Sequence, residues 1–202
     1  MLKKYENLLN LDATIAKELF DVVNYPWEVL PLIKDFILKM GPTLSDEYIL
    51  YKDSVWVHKS VKISEKADIN APAIIGKNCV IGNSTEIKNA IIFDNCQCPH
   101  YNYVGDAILG DHAHTGAGVI LSNVKSDKSN VVVKEDGEIA TGLRKMSAIL
   151  GDYSDIGCNS VLCPGTIIGA HTNVYPLTMV RGVIGDWKIV KSMDNIIDKE
   201  QR

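Results

Sequence analysis

The chain has 202 residues, 46% hydrophobic and 23% charged, with a formal net charge of −4 at pH 7. That length supports one compact core with an appendage, and the acidic balance excludes a protein built to attract nucleic acid. The five cysteines form no disulfide framework, which points to reduced thiols in a cytoplasm.

Residues 1–10 mix Lys3, Lys4 and Glu6 into their apolar positions, so they lack the unbroken apolar stretch of a signal peptide. No apolar run approaches the roughly 18 residues that span a bilayer. A cytoplasmic chain without a membrane partner is expected. Residues 12–41 read as helical. Asp12 is placed to cap a segment bearing Ile15, Leu19 and Val22 on one face. Pro26 suits the first turn of a second segment with Leu30, Ile33 and Ile37 apolar, Pro31 kinks or splits it, and Gly41 ends it. These stripes are packing surfaces, expected to cover one end of the domain formed by the rest of the chain and to shield its open edge.

From Val57 an apolar residue recurs every six positions: Val57, Ile63, Ile69, Ile75, Ile81, Ile87, Phe93. The rhythm returns as Leu150, Ile156, Leu162, Ile168, Val174 and Val180. Small or β-branched residues such as Ala67, Ala73, Thr85, Ser160 and Thr172 sit four positions after many of them. A six-residue period matches neither an α-helix nor simple strand alternation. It fits a coil of three short flat faces and three corners, with the aliphatic side chains inward and glycine or small residues at the corners. The sequence therefore predicts an all-β parallel β-helix of hexapeptide repeats with a small N-terminal helical segment. The expected organisation is a helical segment over 1–52, the β-helix over 53–185 and a tail over 186–202.

Two five-residue units, 99–103 and 104–108, are expected to interrupt the rhythm before Leu109 and Thr115 restore it. The interruption holds His100, and an imidazole exchanges protons near neutral pH, as a general base must. Residues 121–149 leave the repeat altogether. Val131 to Val133, Glu135-Asp136-Gly137 and Ile139 read as a hairpin, and an excursion from a rigid scaffold commonly carries function. The tail is expected to form short strands or a final helix.

Glu86-Ile87-Lys88-Asn89, His100-x-x-Tyr103-Val104-Gly105-Asp106, Gly116-Ala117-Gly118 and Asn123 follow one another in order. With the six-residue rhythm, this set resembles the left-handed β-helix of hexapeptide-repeat acyltransferases. It is similar in particular to the acetyltransferase domain of bifunctional N-acetylglucosamine-1-phosphate uridyltransferase/glucosamine-1-phosphate acetyltransferase, over roughly residues 57–185. Short stand-alone relatives carry a helical start like Tyr25-Pro26-Trp27. The resemblance implies a homotrimer with sites between subunits, acetyl-CoA as co-substrate, and a small amino-sugar acceptor on the route to UDP-N-acetylglucosamine. It implies His100 as general base, with Lys88, Tyr103, His114, Asn123 and Lys128 on the acceptor. It further implies Gly116, Ala117, Gly118, Cys158 and Lys191 along the cofactor. No metal and no uridyl transfer are implied, because no glycine-rich nucleotide-binding start is present.

Two positions depart from that pattern. The family has asparagine where this chain has His114, and a phosphate-binding arginine is missing at Asn70-Ala71-Pro72-Ala73. Lys125, Lys128 or Arg144 of the excursion are candidates to replace it. Two other functions share the architecture. One is a γ-class carbonic-anhydrase-like zinc site on His100, His112 and His114; the other is a binding or scaffold protein that has lost the acceptor site. Cys96-Gln97-Cys98 reads as incidental, having no second pair.

Overall fold

The computed structural model describes residues 8–201; the lysine-bearing start over 1–7, on which the lack of a leader was read, lies outside the described residues. The chain winds into a left-handed parallel β-helix with three faces. Parallel pairing stacks the inward side chains into ladders. On the first face run Ile69, Ile87, Val104, Leu121, Leu162 and Val180. The second carries Val57, Ile75, Ile92, Leu109, Leu150, Ile168 and Ile184. On the third, Ile63, Ile81 and Cys98 precede Thr115, Ile156, Val174 and Val190. All but Ile63 on these ladders are buried, so the core is a column of apolar side chains along the axis.

The register corrects one sequence expectation. Ile92, not Phe93, pairs with Ile75 and Leu109, so the first five-residue step falls between Ile87 and Ile92 rather than over 99–103. The second, between Val104 and Leu109, lies where it was expected. Phe93 takes the following position, filled by Gly76 and Gly110 in the adjacent coils. Its ring meets Phe20 edge-on at 6.0 Å. Its apolar character reflects cover from outside the coil, which a simple period cannot distinguish from an inward position.

That cover is the N-terminal segment, and its place differs from the expected end cap. It consists of a 3-10 turn Leu11–Ala13, a short α-helix Lys17–Phe20, and a 3-10 stretch Pro26–Leu32, Pro31 included, running straight into the α-helix Ile33–Met40. Asn10, rather than Asp12, supplies the first cap, accepting from the Asp12 N–H at 3.2 Å. The segment lies along the second face. There the outward residues Ile74, Ile91, Ile108, Ile149 and Ile167 form a second apolar ladder, all at most 1% exposed. Backbone bonds fix it, Asp94 N–H to Ala13 C=O and Asp152 N–H to Leu8 C=O, each 2.9 Å. The physical reason is area: an uncovered ladder of isoleucines costs more than an open edge. The first coil is instead closed by an antiparallel hairpin, Tyr48–Lys52 with Val55–His58. The tail forms Lys188–Ser192, which extends the third face, and Asn195–Asp198 antiparallel to it.

The corners also differ from the glycine reading. Left-handed backbone falls largely on side-chain-bearing residues, among them Asn78, Asn95, His112, Tyr153, His171 and Trp187. The last four stack ring on ring at 4.2–4.8 Å along one corner. Glycines beside the apolar positions serve close approach instead: a Cβ on Gly116 would sit 2.8 Å from the Cys158 nitrogen. The excursion leaves at the corner between the first and second faces and forms the hairpin Val132–Lys134 with Glu138–Ala140. No helix among the described residues is long and apolar enough to cross a membrane.

Candidate active site

Most of the residues singled out from the sequence lie along the two edges of the first face, whereas His114 and Lys191 are on the third face and Lys128 is in the excursion. At its edge with the second face stand Lys88, Tyr103 and Asn123. Tyr103 faces outward, in register with Glu86 and Ile120, and its hydroxyl lies over Gly105, where any side chain would collide with the ring. Asn123 Nδ2 donates to that hydroxyl at 3.0 Å and to Asp106 Oδ2 at 2.6 Å. Asn89 Nδ2 holds the other oxygen of Asp106 at 2.7 Å. Burial, then the charges of Asp106 and Glu86, push the Tyr103 phenol above its ordinary range, so it stays a protonated donor. Lys88 is exposed beside Gly105. Lys128 is exposed further out in the excursion, its N–H on Lys125 C=O.

At the opposite edge, the corner between third and first faces, stands His100. It is exposed, and its imidazole has no hydrogen-bond partner among the described residues. Its backbone is fixed from both sides, by Asn102 Oδ1 on its N–H at 3.2 Å and by the Gly118 N–H on its carbonyl at 3.0 Å. Asn83, its ladder neighbour, buries a carboxamide oxygen that has no partner among the described residues. Gly116, Ala117 and Gly118 take the same corner one coil on, and the exposed Cys158 the next. A groove of about 390 Å³ runs beside it, lined by His114, Gly116, Asp155, Cys158, Tyr175 and Pro176 among others. His114 is on the third face, its Nδ1 2.8 Å from Asp155 Oδ1. Lys191 is exposed on the last strand of that face.

A second cavity, of about 530 Å³, opens where the excursion folds over the first–second corner. Lys125, Lys134 and Arg181 line it with Asp127 and Glu138. Lys134 pairs with Glu138 at 2.9 Å and Lys125 lies 3.6 Å from Asp127. Arg181 has no ion-pair partner among the described residues. Arg144 is exposed and does not line it.

The structure scatters the three histidines of the zinc alternative. His100 is at one corner, His112 at another, stacked on Tyr153 and 2.9 Å from Asp111, and His114 is on a face. No three metal-ligating side chains converge among the described residues. The Cys96 and Cys98 thiols are buried, and burial pushes Cys98 up to about 12. Neither is a nucleophile. Sequence reasoning gave no role to Asp106, Asp155 or Arg181. Asp106 stood inside the motif it quoted; Asp155 pairs with a residue 41 positions earlier, a distance that the excursion conceals.

Fold and corner geometry together define a hexapeptide-repeat β-helix protein. Comparison narrows that class. Residues 51–144 match the family described as GMPPB C-terminal domain. The chain is 28% identical to the bifunctional protein GlmU of Methanococcus maripaludis, over all of this chain and 54% of that protein. It is 35% identical over 106 residues to a bifunctional sugar-1-phosphate nucleotidylyltransferase/acetyltransferase of Sulfurisphaera tokodaii, covering 52% of this chain and 26% of that one. The chain thus spans about half or less of these relatives' length. Among solved structures it is similar to AntD, an N-acyltransferase from Bacillus cereus in complex with dTDP and coenzyme A. The TM-score is 0.58 at 23% identity, over 72% of this chain and 83% of that one. The resemblance to hexapeptide-repeat acyltransferases holds.

Proposed function

We propose that the chain is an acetyl-CoA-dependent acetyltransferase that acts, as a homotrimer in the cytoplasm, on the amine of a small amino sugar. Similarity to bifunctional nucleotidylyltransferase/acetyltransferases and to an acyltransferase that binds coenzyme A supports the reaction class. One arrangement carries the reading. An exposed imidazole without an internal partner, His100, stands three residues from Tyr103, whose hydroxyl is held by Asn123 at the other edge of the same face.

Chemically the parts suffice. The imidazole takes the proton of the attacking amine, and Asn83 offers an acceptor able to orient the ring. Tyr103, Asn123 and Lys88 bind the acceptor's polar groups. The Gly116–Gly118 backbone presents a floor without side chains at 116 and 118, against which the thin pantetheine arm and thioester can lie. The Gly116 and Gly118 N–H groups bond to the Ile156 and His100 carbonyls, which leaves the Ala117 N–H to stabilise the tetrahedral oxyanion. Outward on the first face, Ile120, Val161 and Met179 form an exposed apolar row, with Met179 56% exposed. A neighbouring subunit is the natural cover for such a row.

The deciding experiment is coupled thiol release from acetyl-CoA against a panel of amino sugars, with and without a 1-phosphate. Turnover on at least one amino sugar is expected. Acetyl-CoA binding without release on any member overturns the reading and leaves the scaffold alternative.

A further inference from the structure

The groove on the third face contains something the acceptor side lacks: a histidine already held by a carboxylate. Asp155 accepts from His114 at 2.8 Å through one oxygen and from Asn173 Nδ2 at 3.3 Å through the other. The imidazole hydrogen bond is the largest cause holding Asp155 below the usual carboxylate range. An ionised carboxylate only accepts, so His114 Nδ1 carries a hydrogen and Nε2 is the nitrogen left for the groove. The other titratable groups on this wall are Cys158 and Tyr175, with Lys199 acting on Asp155 through its charge.

The floor beside this pair is bare backbone by necessity. A Cβ on Gly116 or Gly157 would lie 2.8 or 2.5 Å from the backbone of the next coil. His100 and His114 therefore flank the same glycine corner. The first is bonded to Gly118 through its carbonyl, and the second is two residues before Gly116. His114 lines the groove and His100 stands at the corner beside it, a placement that suits a reaction in which one proton is removed and another delivered.

We propose that His114, held by Asp155, donates the proton that the departing coenzyme A thiolate requires, as the counterpart of His100. This rests on the acetyltransferase reading. The amine lone pair attacks the thioester carbonyl, the C–N bond forms and the carbonyl pair moves to oxygen. When the carbonyl re-forms, the C–S bond breaks and its electron pair leaves on sulfur. His100 takes the proton lost by nitrogen, His114 Nε2 gives one to sulfur, and both rings re-equilibrate with water. The products are the amide and a free thiol.

The test is the pH profile of kcat for acetyl-CoA with wild type, His114→Gln, Asp155→Asn and His100→Ala. Wild type should give a bell. His114→Gln should lose its alkaline limb, with kcat down ~100-fold and the acetyl-CoA KM nearly unchanged. Asp155→Asn should move that limb to lower pH, while His100→Ala removes the acid limb instead. A wild-type profile without an alkaline limb, or a limb that survives in His114→Gln, overturns the proposal while leaving the acetyltransferase reading intact. Absence of thiol release by wild type overturns the reading itself.

Discussion

The Asn123 carboxamide nitrogen lies 3.0 Å from the Tyr103 hydroxyl, although twenty positions separate the two residues. The same nitrogen reaches Asp106 at 2.6 Å, so one side chain couples the start of the excursion to the coil that carries His100. Asn123→Ala should leave the phenol without its donor and free the acceptor subsite to reorient. The expected result is an acceptor KM raised by ~10-fold with a smaller change in kcat, as for loss of one or two hydrogen bonds to a partly buried polar cluster. Asp106 keeps Asn89 as a partner, so urea unfolding should shift by no more than ~1 kcal/mol. An unchanged acceptor KM removes Asn123 from the site.

His100 offers the most direct kinetic check. Replacing it with alanine deletes the proposed base but breaks none of its backbone hydrogen bonds. Turnover should fall by ~100-fold or more, with the sedimentation coefficient of the assembly unchanged. Activity equal to wild type would move the base elsewhere.

The six-residue rhythm made the coil legible because nearly every inward position is apolar and buried, a constraint that each turn repeats, with the half-buried Ile63 and the polar Thr115 as exceptions. It failed first at Phe93, where a side chain covered from outside is as apolar as one pointing in. The isoleucines at 74, 91 and 108 were visible only as extra hydrophobes, since nothing in a period says which of two neighbours faces a helix. The candidate site was legible only as an ordered motif in one coil and its neighbours. His114 with Asp155, and Arg181 at the excursion cavity, join segments on both sides of an insertion whose length no periodicity predicts.

Packing on the second face gives a stability test independent of activity. Phe20 and Phe93 meet edge-on at 6.0 Å and both are fully buried. Phe20→Ala should cost about 3–5 kcal/mol in chemical denaturation, yet leave KM for either substrate near wild type where the protein stays folded. A loss below about 1 kcal/mol would mean that the segment is not docked on the β-helix in solution.

Asp152 predicts a pH dependence of stability. Burial pushes its carboxyl up to about 6, although the N–H groups of Asp111 and Asn10 pull the other way. With the folded value above the unfolded one, the folded state binds the proton more tightly. The contribution is present below about pH 4 and is lost as pH rises through about 6. Allowing for its partial exposure, the effect is about 1–2 kcal/mol. Asp152→Asn has no such titration. The wild-type advantage over this variant in urea unfolding should therefore shrink by that amount between pH 4 and 7. A difference that stays flat or grows with pH contradicts the assignment.

The missing phosphate-binding arginine has a candidate replacement in the excursion cavity. There Lys134 is neutralised by Glu138 and Lys125 lies near Asp127, so Arg181 is the cation left to meet an anion. A planar guanidinium can grip a phosphate through two nitrogens. If the acceptor's phosphate is read here, Arg181→Gln should raise KM for a 1-phosphorylated amino sugar by ~10–100-fold, as for loss of a charge-assisted pair. KM for the unphosphorylated sugar and for acetyl-CoA should stay near wild type. A rise confined to acetyl-CoA would assign the cavity to the cofactor's phosphates instead, and equal KM values throughout would leave acceptor phosphate recognition to Lys88 or Lys128.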